Sequence, residues 1–158
     1  MDLEPCEAAD VEALRVFLAD MDLTTNGLDA AGVRLWIERD ARGAVVGSTG
    51  YELSADGRHA LVRSVAVAPA GRSRGRGGAL ARYAMDRAAS EGARTAWLFS
   101  RRSGPFWQGR GFRPADRDEL ARVLPDALQV RAFRESGQLQ REVAWARELG
   151  AVSASVAD

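Results

Sequence analysis

Apolar residues recur along this chain with two periods, and each change of period marks an element. Asp2 to Cys6 reads as a short strand. Val11, Leu14, Phe17, Leu18 and Met21 then fall three and four apart, the spacing of one helix face, with Asp10 placed for the positive end of the helix dipole. Thr24 to Leu28 has neither period and reads as loop. From Val33 to Glu38 the chain alternates as a half-buried strand does. Ala44 to Leu53 is a second strand, and the Asp40-Ala41-Arg42-Gly43 turn between them predicts a hairpin. Ala55-Asp56-Gly57-Arg58 turns the chain again into Ala60 to Val67, where Pro69 stops the strand.

The helical period returns from Gly75 to Ser90. Leu80, Tyr83, Ala84 and Ala88 share its apolar face, and Gly92 suits its C-terminal stop. Thr95 to Ser100 is a short apolar strand, Pro105 can open a short helix at its first turn, and Phe112 begins another strand. Pro125 to Glu135 is expected to be helical and Gln140 to Glu148 to be the last strand. An antiparallel meander followed by a strand–helix–strand crossing predicts a mixed α/β fold. There is no internal repeat. One domain is expected over residues 1–150, with a frayed tail at 151–158.

Composition changes this picture mainly by exclusion. The 158 residues are 46% hydrophobic and 28% charged, with 22 basic and 22 acidic residues and a formal net charge of zero. That balance gives no electrostatic reason to expect nucleic acid or an anionic membrane. Every basic residue is arginine, so neither a Schiff-base lysine nor the lysine of a Walker loop can operate. A lone cysteine, Cys6, forms no intrachain disulfide, and with the lone histidine, His59, it cannot build a Cys/His metal site. The N-terminus does not read as a signal peptide, and no stretch approaches the roughly 20 apolar residues of a membrane span. A reducing cytoplasm is the expected location.

The sharpest feature lies between the third meander strand and the long helix, in Val67-Ala68-Pro69-Ala70-Gly71-Arg72-Ser73-Arg74-Gly75-Arg76-Gly77-Gly78. An apolar strand ends, a glycine-rich turn follows, and an amphipathic helix begins. Glycines let backbone N–H groups converge without Cβ obstruction, and the helix N-terminus adds free N–H groups and partial positive charge. Three arginines raise the potential further. The bland alternative is a basic, flexible loop; its place between a strand and a strong helix favours a pyrophosphate cradle. The pattern does not fit the G-x-G-x-x-G of a dinucleotide fold.

On these residues the chain resembles the GCN5-related N-acetyltransferase (GNAT) family. Arg72-Ser73-Arg74-Gly75-Arg76-Gly77 fits that family's Arg/Gln-x-x-Gly-x-Gly/Ala signature, with Val67 and Leu80 at the family's spacing; a register from Arg74 through Gly77 and Ala79 also spells it. Phe106-Trp107-Gln108-Gly109-Arg110-Gly111-Phe112 resembles the family's aromatic-aromatic-x-x-x-Gly-Phe mark. Asn26-Gly27-Leu28 and Ala60 to Val67 are similar to a bacterial branch of arsenic-resistance or herbicide-type amino-acid N-acetyltransferases.

The resemblance implies a central, mostly antiparallel sheet of six to seven strands, splayed between the fourth and fifth and flanked by helices. It implies an enzyme with acetyl-CoA as co-substrate and no metal. The backbone of Val65, Ala66 and Val67 would meet the pantetheine arm. Arg72, Ser73, Arg74, Gly75, Arg76, Gly77 and Gly78 would hold the pyrophosphate. A primary amine would attack the thioester directly, with a backbone N–H near Val65 polarising its carbonyl.

Departures from the family matter as much. Trp107 stands where many members carry a tyrosine acid, and an indole cannot protonate a thiolate. Ser100 replaces a frequent asparagine, Arg76 an aliphatic residue, and Leu61 a frequent glutamate base. Glu52 and Ser64 remain as catalytic candidates, with His59 acting through water as another; Ser64 points to the opposite strand face, where packing is its default role. By alternation Arg63 shares a face with Leu61 and Val65, where it either binds an anionic group of the acceptor or pairs with a carboxylate such as Glu52. Trp107 is expected as wall of the substrate channel. Arg101 and Arg102 are open between the 3′-phosphate of CoA and solvent. Expected partners are acetyl-CoA and a small amine; a homodimer is left open. Against the enzyme stand a catalytically silent acyl-CoA-binding regulatory domain and a protein N-acetyltransferase.

Overall fold

The computed structural model describes residues 2–150, apart from the side chains of Ser73 and Arg74; the tail expected at 151–158 lies outside the described residues. Seven strands form one sheet: β1 (Glu4–Pro5), β2 (Val33–Arg39), β3 (Val45–Leu53), β4 (His59–Val67), β5 (Thr95–Phe99), β6 (Arg113–Ala115) and β7 (Ala144–Glu148). Their order across the sheet is β1-β2-β3-β4-β5-β7-β6. All neighbours run antiparallel except β4 and β5, which the crossover helix makes parallel. The mixed α/β architecture is therefore as expected.

Helices cover both faces. On one side lies α2 (Arg76–Ser90), with Ala81, Ala84, Met85 and Ala88 packed on Trp36, Tyr51 and Val62. The short α3 (Gly104–Gln108) joins that layer through Trp107. On the other side α1 (Val11–Asp20) packs Leu14, Phe17 and Leu18 on Leu35 and Ile37. Two further helices, α4 (Arg117–Val123) and α5 (Leu128–Ser136), continue that layer over Leu61 and Trp97. Double coverage explains why β2, expected to be half-buried, is buried from Leu35 through Glu38 on both faces.

The C-terminal third differs from the sequence expectation. The helix predicted over Pro125 to Glu135 begins at Leu128, and α4 precedes it, capped by the Asp116 carboxylate accepting from the Asp118 amide at 2.8 Å. The last strand starts at Ala144, because Gln138–Arg141 forms a single 3₁₀ turn that buries Leu139 against α5 and its neighbours.

Two features of β4 shape everything that follows. First, it pairs with β5 only over His59–Leu61 against Thr95–Trp97, so from Val62 onward β4 has no strand partner on that side. Second, it carries a bulge. Ser48 pairs with Ala66 and Gly50 with Arg63, leaving Ser64 and Val65 opposite Thr49 alone. Ser64 takes φ 60°, a left-handed conformation that costs a non-glycine residue roughly 1–3 kcal/mol. The Ser48 hydroxyl pins it by donating to the Ser64 carbonyl at 2.6 Å.

Candidate active site

The bulge reverses the alternation on which the sequence placed Arg63. Leu61 packs with the α4–α5 layer, whereas Val65 packs with the α2 layer. Arg63 therefore does not share a face with Val65. Its side chain is 0% exposed and its Nη1 donates to Glu52 Oε2 at 2.9 Å. Burial lowers the Arg63 pKa from its ordinary value, and the Glu52 charge partly opposes this. Glu52 also accepts from the first amides of α5, Leu128 N at 2.7 Å and Gln129 N at 3.4 Å. Gln129 in turn donates to Thr24 Oγ1 at 2.6 Å. Together these bonds form a largely buried structural network that ties α5 and the α1–β2 loop to the sheet.

That placement gives Arg63 the carboxylate partner that was one of its two alternatives and sets both catalytic candidates, Glu52 and Ser64, away from the cleft. Glu52 is committed to Arg63 and α5, and Arg63 to Glu52; Ser64 turns the bulge. None of the three lines the cleft described below. His59 does not line it either; its Nδ1 accepts from Trp97 Nε1 at 3.1 Å, at the paired end of β4.

The cleft occupies the gap where β4 and β5 part and has a volume of about 640 Å³. Val65, Ala66 and Val67 form its floor. Because β4 lacks a neighbour here, its backbone groups on this side are open to pair with an extended ligand. Gly75, Gly77 and Gly78 line one wall, at the N-terminus of α2. Gly75 has φ 72°, the left-handed turn that lets the chain pass from a 3₁₀ turn (Pro69–Arg74) into α2. Phe106 and Trp107, from α3, line the cleft beside these glycines. Trp107 is 7% exposed and stacks edge-on against both Phe106 and Phe112.

Among the described residues, three arginines line the cleft and no Asp, Glu or His does. Arg72 donates through Nε to the Val67 carbonyl at 3.1 Å, its Nη2 lying near Met21 Sδ. Arg102 reaches Asp22 at 2.9 Å in a pair that is 68% and 81% exposed, worth about 1 kcal/mol at most. Arg110, assigned no role from the sequence, lines the cleft beside Gly78. Arg76, expected at the pyrophosphate, pairs with Glu38 at 3.2 Å. Arg101 turns to Glu142. The side chains of Ser73 and Arg74, both expected in the cradle, lie outside the described residues. Arg102, Met21 and Leu23 enter the site through loops far apart in the chain.

Residues 4–112 match the acetyltransferase (GNAT) family. No curated protein matches the sequence. Among solved structures, N-acetylglutamate synthase from Neisseria gonorrhoeae, complexed with coenzyme A and N-acetyl-glutamate, aligns with a TM-score of 0.71 at 19% identity. The alignment covers 94% of this chain but only 35% of that one, so the chain spans about a third of the synthase's length. Rv2747 from Mycobacterium tuberculosis, also solved with CoA, aligns at 0.71 and 19% identity, over 94% of this chain and 99% of that one. A GNAT-family acetyltransferase from Staphylococcus aureus Mu50 gives 0.71 at 13%, over 94% and 99%. These likenesses carry the fold, and the match over residues 4–112 carries the family: the chain belongs to the acetyltransferase (GNAT) family.

Proposed function

We propose that this protein is an acetyl-CoA-dependent N-acetyltransferase acting on the primary amine of a small molecule, with residues 1–150 as its single catalytic domain. The observation that carries this is the β4–β5 gap, which opens an unpaired strand edge directly beside the glycine-lined N-terminus of α2. The residues present suit an acyl-CoA. The amides from Ser73 to Gly78 would hold the pyrophosphate, and the backbone of Val65 and Val67 the pantetheine arm. Acetyl-CoA supplies an acyl group activated as a thioester. Trp107 and Phe106 exclude water along one wall. With no carboxylate or imidazole lining the cleft among the described residues, solvent takes the proton that the amine loses.

The acceptor we favour is an amino acid or close analogue. Support comes from the fold shared with N-acetylglutamate synthase and from Arg72 and Arg102 at the cleft, which can meet a carboxylate or phosphonate-like group. The sequence likeness to arsenic-resistance and herbicide-type acetyltransferases points the same way. The test is thiol release from acetyl-CoA against a panel of amino acids, their phosphinic and arsenical analogues, and polyamines. Amino-acid-type amines should stimulate release and polyamines should not. The withdrawal of Glu52 and Ser64 from the cleft, with Trp107 in the place of an acid, favours one second possibility, a silent acyl-CoA-binding domain. Tight acetyl-CoA binding with no amine-stimulated release would establish that instead.

A further inference from the structure

Arg110 sits where an arginine is electrostatically out of place. It follows α3, and its guanidinium carbon lies 5.0 Å from the centre of the Phe106 ring. Its other face lies on Gly78: a Cβ at that glycine would be 3.0 Å from the guanidinium carbon and 3.2 Å from Nε. Gly77 makes room in the same way for Phe106, whose ring would lie 3.3 Å from a Cβ there. The two glycines thus seat α3 and Arg110 on the first turn of α2. That turn is the positive end of the helix, where a cation is disfavoured. Arg110 Nε is buried with no hydrogen-bond partner, and no carboxylate pairs with the side chain among the described residues. A guanidinium held against a helix N-terminus and facing a cleft lacks one thing, an anion.

We propose that Arg110 binds the pyrophosphate of CoA, taking the role that Arg76 gives up by pairing with Glu38. The proposal rests on the acyl-CoA site described above. It also gives Gly78 a specific purpose, keeping the guanidinium within reach of the α2 amides. Arg110→Met should weaken acetyl-CoA binding about ten- to a hundredfold, the scale of a charge-assisted hydrogen-bond pair. Acetyl-dephospho-CoA, which keeps the pyrophosphate and lacks the 3′-phosphate, should lose the same factor. Arg110→Lys should recover part of the loss. Gly78→Ala should cause a smaller loss with the melting temperature unchanged, because only the end of a flexible side chain must move.

Titration calorimetry of the full chain with both thioesters decides the matter. Equal affinities for wild type and Arg110→Met would overturn the proposal. So would a loss confined to acetyl-CoA, which would place Arg110 on the 3′-phosphate, or equal losses in the Met and Lys variants, which would make it a packing residue. If the wild-type protein binds neither thioester, the acyl-CoA site itself fails, a separate outcome.

Discussion

Arg63 and Arg110 both bury guanidinium nitrogens, but they do so on opposite faces of the sheet and in different company. Arg63 meets a carboxylate from the next strand, and that carboxylate also caps α5, so the charge is spent inside the fold. Arg110 has an aromatic ring and a glycine for neighbours and an open cleft ahead. A buried charge that finds its counterion within the chain serves the architecture, and one that does not is left for a ligand. The bulge at Ser64 separates the two, because it turns Val65 toward the cleft while Arg63 stays on the closed face.

The strongest way to break this contrast is to remove the cation on the closed face. Arg63→Met strands the Glu52 charge in a buried site and should cost about 3–5 kcal/mol in urea denaturation. Adding Glu52→Gln should recover much of that. A loss below about 1 kcal/mol with a raised acceptor KM would return Arg63 to substrate binding. On the open face, Gly77→Asp should weaken acetyl-CoA binding at least a hundredfold, roughly. It sets a carboxylate where the pyrophosphate belongs and pushes Phe106 off its seat.

These predictions separate what the chain's pattern reveals from what it conceals. The meander, the crossover helix and the glycine–arginine turn are legible because period two, period 3.6 and glycine each have a local physical cause. The face of Arg63 is not, because a bulge is a property of pairing: only the register of Ser48 and Gly50 on β3 shows that two residues of β4 face one. Arg76 stood out as a departure from the family, but its partner Glu38 lies 38 residues earlier in the chain and shows only in the fold. The signal for α4 was present in Asp116 followed by Asp118 and Glu119, a capping residue with an acidic first turn. Arg110 had no such signal, since its significance depends on lacking a partner in three dimensions.

Smaller effects sharpen the same contrast. With no base on the cleft, acceptor kcat/KM should rise about tenfold per pH unit until the amine reaches its own pKa, since only the neutral amine attacks. A plateau near pH 6–7 would reveal a protein base that has not been placed. Trp107→Phe should be the mildest in turnover. It leaves a cavity costing about 1–3 kcal/mol of stability but should avoid the roughly 10²–10⁴-fold fall that follows loss of a general acid.

The role of the open face rests on one equilibrium, acetyl-CoA binding to the β4–β5 cleft, and thermal unfolding across a range of acetyl-CoA concentrations reads it without knowledge of the acceptor. Ligand at a hundred times its Kd should add about 2.7 kcal/mol to stability, raising Tm progressively with concentration, and Gly77→Asp should abolish the rise while remaining folded. A wild-type Tm unmoved by saturating acetyl-CoA, or a rise of equal size in Gly77→Asp, would contradict the account.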